Sequence, residues 1–282
     1  MSIRSMGIIG AGTMGGGIAQ VAATAGLSVT LFDVSDAIVR KGIDKIANAL
    51  GRQVAKGSLT SQAKDAALSL LKTSTQYEAM RDADIIVEAA TENFELKSKI
   101  IKQVEAAARA DAIIATNTSS LSVTRLASLV ATPERFVGMH FFNPVPAMRL
   151  VEVVRGLQTN DQTVETVSAL AKQLGKSPIV VKNMPGFVVN RILLPMINEA
   201  FFVLEQGEAT PEEVDEGMKL GCNHPMGPLA LADLIGLDVV LAITEVLHRE
   251  FGDPKYRPSQ RLKELVDAGY LGRKTGHGVY AY

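Results

Sequence analysis

Residues 6–20 read MGIIGAGTMGGGIAQ, and that stretch restricts the chain to a narrow set of folds. Met6, Ile8 and Ile9 give a short apolar strand signal. Gly10, Gly12 and Gly15 then supply the G-x-G-x-x-G spacing, with Thr13 and Met14 inside it. Ile18, Ala19, Val21 and Ala22 open an apolar helix. In a dinucleotide-binding βαβ unit the first glycine permits the tight turn. The second lets backbone approach a pyrophosphate, and the third lets helix and strand pack closely. The anion would sit on the N–H groups of the helix N-terminus, where the backbone dipoles favour negative charge. Glycine turns alone are common, but here a second strand signal follows, Leu27–Phe32, with Asp33 at its end. Asp33 lies 33 − 15 = 18 positions after the third glycine, near the ~20 expected of a ribose-binding acid. A carboxylate there accepts from both ribose hydroxyls and repels a 2′-phosphate, which favours NAD over NADP. The competing reading makes Asp33 a helix cap, with Ser35 and Asp36 as rivals.

At 282 residues the chain exceeds one dinucleotide fold, so two domains are expected. The net charge of −1 gives no basic surplus for nucleic acid. Cys222 is the single cysteine, so no intrachain disulfide can form and a reducing, cytoplasmic setting fits. The sequence enters its first strand almost at once, which leaves no room for a signal peptide, and no apolar run reaches the ~20 residues of a membrane span. No metal site is expected.

Strand and helix signals alternate through the first part. After Asp33 a helix runs to about Lys56, with Ile38, Ile43, Ile46 and Leu50 at helical spacing. Gly57 stops it, and Thr60 caps a second helix through Leu71. This helix pair exceeds a minimal crossover and is expected to project and carry ligand contacts. Further strands are read at Ile85–Glu88, Ala112–Ala115, Phe136–His140, Leu150–Val154 and Ile179–Val181, with helices at 93–108 and 164–174. Pro185-Gly186 ends the alternation. Beyond it come helical patterns only: 188–204 with Pro195 inside, a start at Thr210-Pro211-Glu212-Glu213, then 233–251 and 259–268. The expected architecture is α/β: a Rossmann-type domain over 1–184 and an all-α domain over 185–282. The smaller, apolar-rich helical domain is expected to bury a face against a second copy.

Hydride transfer from an alcohol needs a base for the hydroxyl proton. Of the four histidines, His140 in GMHFFNPVP ends a strand of the dinucleotide domain, where open α/β sheets bind ligands. Glu152 follows 12 residues on, flanked by Leu150, Val151, Val153 and Val154. A carboxylate in such company needs a partner. If it met one imidazole nitrogen, the other could face a substrate. Equally, His140 could be a satisfied core residue and Glu152 could face water, since spacing alone does not establish contact. Asn117-Thr118-Ser119-Ser120 follows another strand and offers small hydroxyl and amide groups to ligand or helix cap alike. Asn190 interrupts the apolar PGFVVNRILLP and should face a partner.

Taken together the chain resembles the 3-hydroxyacyl-CoA dehydrogenase family over essentially its whole length. The resemblance is carried by GIIGAGTMGGGIAQ (7–20), IIVEAATENFELK (85–97), TNTSSL (116–121), MHFFNPVP (139–146), LVEVV (150–154), MPGFVVNR (184–191), HPMGPLALAD (224–233) and GRKTGHGVY (272–280). Within the family it is most similar to the bacterial 3-hydroxybutyryl-CoA dehydrogenases. The resemblance implies reversible, NAD-dependent oxidation of (S)-3-hydroxyacyl-CoA to 3-oxoacyl-CoA in fatty-acid or butyrate metabolism. It also implies a homodimer formed through the helical domain. It gives His140 and Glu152 the catalytic pair, and Ser119 and Asn190 the surroundings of the reacting oxygen. It places Gly10, Gly12, Thr13, Met14, Gly15, Asp33, Glu92, Lys97, Asn117, Ser119, Asn143 and Lys274 around the coenzyme. Lys56 matches a CoA contact, to which Arg52, one turn earlier, is added. The alternatives are a dehydrogenase of a non-CoA hydroxy acid on the same scaffold and a non-catalytic NAD-binding protein.

Overall fold

The computed structural model describes residues 2–282, and the chain separates after Met184 into two units. The first contains β1 (Ser5–Ile9), α1 (Thr13–Thr24), β2 (Ser28–Phe32), α2 (Asp36–Ala55), α3 (Ser61–Ser69) and β3 (Leu71–Ser74). It continues through β4 (Ile85–Glu88), α4 (Phe94–Ala107), β5 (Ile113–Thr116), α5 (Val123–Ala127), β6 (Phe136–Phe141), β7 (Leu150–Arg155), α6 (Asp161–Gln173) and β8 (Ser177–Lys182). The eight strands form one sheet in the order β3-β2-β1-β4-β5-β6-β7-β8. Every neighbouring pair is parallel except β6–β7, which is antiparallel. The chain direction of the winding reverses between β1 and β4, the crevice where doubly wound sheets bind ligands. The unit is therefore a Rossmann-type domain.

The central strands read as short apolar runs closed by a polar residue, Glu88 in β4 and Thr116 in β5, because helices cover both faces. All four residues of β4 and of β5 are buried. β3 carries no such signal. Its sequence is LKTS, with Lys72 and Thr73 exposed at the sheet edge, so the segment reads as the tail of a helix rather than as a strand. Thr60 caps α3 as its spacing predicts, and of the three rivals at the start of α2 it is Ser35 that caps the helix. α2 turns Val39, Ile46 and Leu50 into the core and leaves Arg52 and Lys56 exposed.

The start of β1 is pinned by Asp84. Its Oδ2 accepts the N–H groups of Arg4 and Ser5 at 2.7 and 2.9 Å and the Ser5 hydroxyl at 3.1 Å, and Arg109 lies 2.9 Å from its other oxygen. Burial pushes this carboxyl up, but those donors outweigh it and hold it below its ordinary value. Its stabilisation is thus fully present above the ordinary carboxylate range and is lost as pH falls through the lowered value. Asp84→Asn is expected to cost about 1–3 kcal/mol near neutrality. In denaturant titrations the gap to the wild type should shrink progressively below about pH 4.

The second unit contains α7 (Val189–Glu205), α8 (Pro211–Cys222), α9 (Pro228–Ile235), α10 (Leu237–Phe251) and α11 (Gln260–Asp267). Its core is built on Leu194, Ile197, Phe201, Leu229, Leu237 and Leu247. α7 runs through Pro195 as one element. The Thr210–Glu213 capping box forms at the start of α8. The single helix expected over 233–251 is instead two. Gly236 adopts φ +104°, a conformation outside the helix that ends α9 before α10 starts. Asp233 collects the Val279 and Tyr280 N–H groups and the Tyr282 hydroxyl, which fastens the C-terminal segment onto α9.

Candidate active site

The glycine loop occupies the carboxyl end of β1. Gly10 has φ +104°, and a Cβ on Gly15 would overlap the Gly10 carbonyl oxygen, so neither position accepts a side chain. Around Gly12 there is open space. α1 begins at Gly12 with no side-chain cap and no acid in its first turn. Every other α-helix of the first unit is capped by a side chain: Ser35, Thr60, Asn93, Ser122 and Asn160. The donors at the start of α1 are thus left for an anion, and the loop fits a pyrophosphate. Thr13 is exposed and Met14 half-buried beside it. Asp33 accepts the Ala11 N–H on one oxygen and the Val34 N–H on the other, both at 2.7 Å. Each carboxylate oxygen accepts more than one donor, so both retain capacity for ribose hydroxyls.

Tyr77, which the sequence did not single out, packs its ring 4.3 Å from that of Phe32. Burial, then the charges of Asp33 and Glu88, push its phenol up, so it stays a protonated donor.

His140 and Glu152 are cross-strand partners. The antiparallel register of β6 and β7 sets Gly138 against Val154, Met139 against Val153 and His140 against Glu152. Directly opposed residues point to the same face. His140 Nδ1 lies 2.7 Å from Glu152 Oε2, with the histidine 5% and the glutamate 0% exposed. The separation of 12 is therefore the arithmetic of a hairpin, which the sequence could not reveal because strand direction is not written in an apolar run. The Phe142 ring stands 4.5 Å from the imidazole. Asn117, at the end of β5, accepts the Phe141 N–H at 2.8 Å and so braces β6 one residue beyond the histidine.

Glu92 organises the loop after β5. Its Oε1 accepts the hydroxyls of Thr118, Ser119 and Ser120 and the N–H groups of Ser119 and Ser120, all at 2.7–3.0 Å. Lys97 is fully buried. Its ammonium pairs with Glu88 and stands 3.9 Å from Glu92. Glu88 also accepts the Thr116 hydroxyl at 2.7 Å and the Ala90 N–H at 2.9 Å. Sequence reasoning missed Glu88. The signal was there: an acid closing the buried strand IIVE must find a cation, and Lys97 lies nine residues on. Asn143 is exposed in the loop after β6, where the peptide to Pro144 is cis. Arg52 and Lys56 lie at the end of α2.

In the second unit Asn190 is buried on α7. Lys274 lies in the turn Arg273–Thr275 and meets Asp238 at 2.5 Å. Of the remaining histidines, His248 and His277 are exposed and His224 is half-buried in a loop. No group of three or more potential metal-ligating side chains occurs among the described residues.

Residues 5–184 match the model of the 3-hydroxyacyl-CoA dehydrogenase NAD binding domain, and residues 186–282 that of the C-terminal domain. A probable 3-hydroxybutyryl-CoA dehydrogenase of Deinococcus radiodurans is 50% identical over 98% of this chain and 99% of its own length. A 3-hydroxybutyryl-CoA dehydrogenase of Bradyrhizobium diazoefficiens is 49% identical over 99% and 96%. The crystal structure of (S)-3-hydroxybutyryl-CoA dehydrogenase from Ralstonia eutropha superposes with a TM-score of 0.98 at 61% identity, covering 100% of this chain and 99% of that one.

Proposed function

The chain belongs to the 3-hydroxyacyl-CoA dehydrogenase family, and we propose that it interconverts (S)-3-hydroxybutyryl-CoA and acetoacetyl-CoA, with NAD as coenzyme and His140 and Glu152 as the acid–base pair. It is an oxidoreductase. The observation that supports the proposed chemistry is the 2.7 Å contact between His140 Nδ1 and the buried Glu152 carboxylate at a strand's carboxyl end. With Nδ1 engaged there, proton exchange with the substrate falls to Nε2. In the oxidative direction Nε2 takes the C3 hydroxyl proton, and in reduction the imidazolium returns it. Glu152 fixes the ring's tautomer and orientation and stabilises the imidazolium as it forms during the transfer. Bound NAD supplies the acceptor for the C3 hydride and NADH the donor in reverse.

Ser119 donates its hydroxyl to Glu92 at 3.0 Å and is proposed to give that hydrogen bond to the reacting oxygen when substrate binds. Asn190 is assigned the surroundings of the same oxygen by resemblance. Gly10, Gly12, Thr13, Met14 and Gly15 are proposed to hold the pyrophosphate, Asp33 the ribose, and Glu92, Asn117, Asn143 and Lys274 the rest of the coenzyme. The burial of Lys97 gives it an indirect part, as the cation that holds Glu88 and faces Glu92. Arg52 and Lys56 supply positive charge for the CoA phosphates. Exposed apolar side chains in the second unit, Ile192 and Leu234 among them, support a homodimer formed through it. No described helix is long and apolar enough to cross a membrane, and a cytoplasmic enzyme is proposed.

The test is coenzyme oxidation measured with acetoacetyl-CoA and with free acetoacetate, each with NADH and NADPH. Steady NADH oxidation is expected with the thioester alone. kcat/KM with NADPH should be at least about tenfold lower, a preference of only ~1.4 kcal/mol. Equal turnover of free acetoacetate would transfer the protein to non-CoA substrates, and no turnover of either would leave a coenzyme-binding protein.

A further inference from the structure

The connection from β6 to β7 runs from Phe142 to Arg149 and joins the strand of His140 to that of Glu152. Three sets of contacts hold it. The Pro144 carbonyl accepts the N–H groups of Ala147 and Met148, both at 3.0 Å, which closes the turn. Val145, 2% exposed, packs on α1 at Gly17, where a Cβ would come within 2.9 Å of the valine. Lys176, in the residue before β8 and 8% exposed, directs its ammonium at the carbonyl oxygens of Val145 and Met148, at 2.5 and 2.9 Å. Burying an ammonium is costly unless its donors are used, and burial pushes the Lys176 ammonium below its ordinary value. An apolar side chain could fill the space at less expense, but it could not grip two carbonyls of one loop.

We propose that Lys176 is a positioning residue for the reaction: it fixes the β6–β7 connection, and with it the placement of the His140 strand against the helix that opens at the glycine loop. The proposal rests on the reading of His140 and Glu152 as the acid–base pair. Gly17 and Lys176 act on the same segment, one by admitting Val145 and the other by holding the carbonyls at 145 and 148. Misplacement of reacting groups by ~1 Å can cost about 10²-fold. A loosened connection is therefore expected to be felt in turnover more than in coenzyme affinity, because the glycine loop itself is untouched.

Lys176→Met keeps the length of the side chain and removes its donors. It is expected to speed amide exchange across residues 142–149 at least about tenfold and to lower kcat for acetoacetyl-CoA at least about tenfold. NADH affinity, read by fluorescence titration, should change less than about threefold. Lys176→Arg, which keeps N–H donors, should recover most of kcat. Unchanged exchange at 142–149 in Lys176→Met overturns the proposal without reference to turnover. So does a folded variant with kcat within about twofold of the wild type, or a kcat loss that only follows the folded fraction. If Lys176→Met does not fold, Lys176→Gln, whose shorter amide cannot reach both carbonyls, decides: the same pattern supports the proposal, and an unaltered kcat overturns it. A wild type inactive on acetoacetyl-CoA would instead overturn the functional reading, and the exchange measurement would still judge the anchor.

Discussion

His140→Ala is expected to lower kcat for acetoacetyl-CoA reduction by about 10²–10⁴-fold, the range a positioned acid or base contributes. NADH binding, measured at equilibrium, should stay near that of the wild type, because the glycine loop and Asp33 follow other strands, β1 and β2. The substitution has a second consequence that must be separated from the first. Glu152 is 0% exposed and loses the imidazole beside it. Removing the hydrogen-bond partner of a buried polar group can cost about 1–3 kcal/mol. His140→Gln resolves the two effects, since its amide offers Glu152 an N–H donor but cannot exchange a proton at neutral pH. The expected result is a glutamine variant that melts close to the wild type and is as inactive as the alanine variant. Recovery of activity with glutamine would remove the imidazole from the proton transfer.

Glu152→Gln is expected to lower kcat by about 10²-fold, the lower end of the same range. The side chain keeps its volume, and its carbonyl still accepts from Nδ1, so the ring stays oriented. What disappears is the charge that favours the imidazolium as it forms. KM for acetoacetyl-CoA should move little, since Glu152 is buried and reaches the reaction through His140. Steady-state kinetics on the purified variant, with its fold checked by circular dichroism, give the answer. A kcat within about threefold of the wild type would show that the carboxylate acts by geometry alone.

Much of this arrangement was legible in the sequence, and the reasons differ by residue. The glycine loop and Asp33 are read from local spacing, because a βαβ unit is short and its parts follow in order. His140 is read from its place at a strand end. Its contact with Glu152 is not, because it depends on β7 running antiparallel in a sheet otherwise built by parallel crossovers. β3 is hidden because an edge strand has little apolar face to display. The pairing of Glu88 with Lys97 is hidden for another reason: Lys97 is in view and the buried strand marks Glu88 as needing a cation, but only the fold shows that the two meet. The break at Gly236 was visible as a glycine, but a single glycine inside an apolar helical run is as often tolerated as not.

The first turn of α1 stands apart from its neighbours in having Gly12 where they carry serine, threonine or asparagine. A hydroxyl or amide at that position would strengthen the fold by roughly a few tenths of a kcal/mol. It would also stand in the seat meant for phosphate oxygens. The chain forgoes a stabilising residue at the one helix start where rigidity and coenzyme recognition compete, so any search for a more thermostable version should leave position 12 alone.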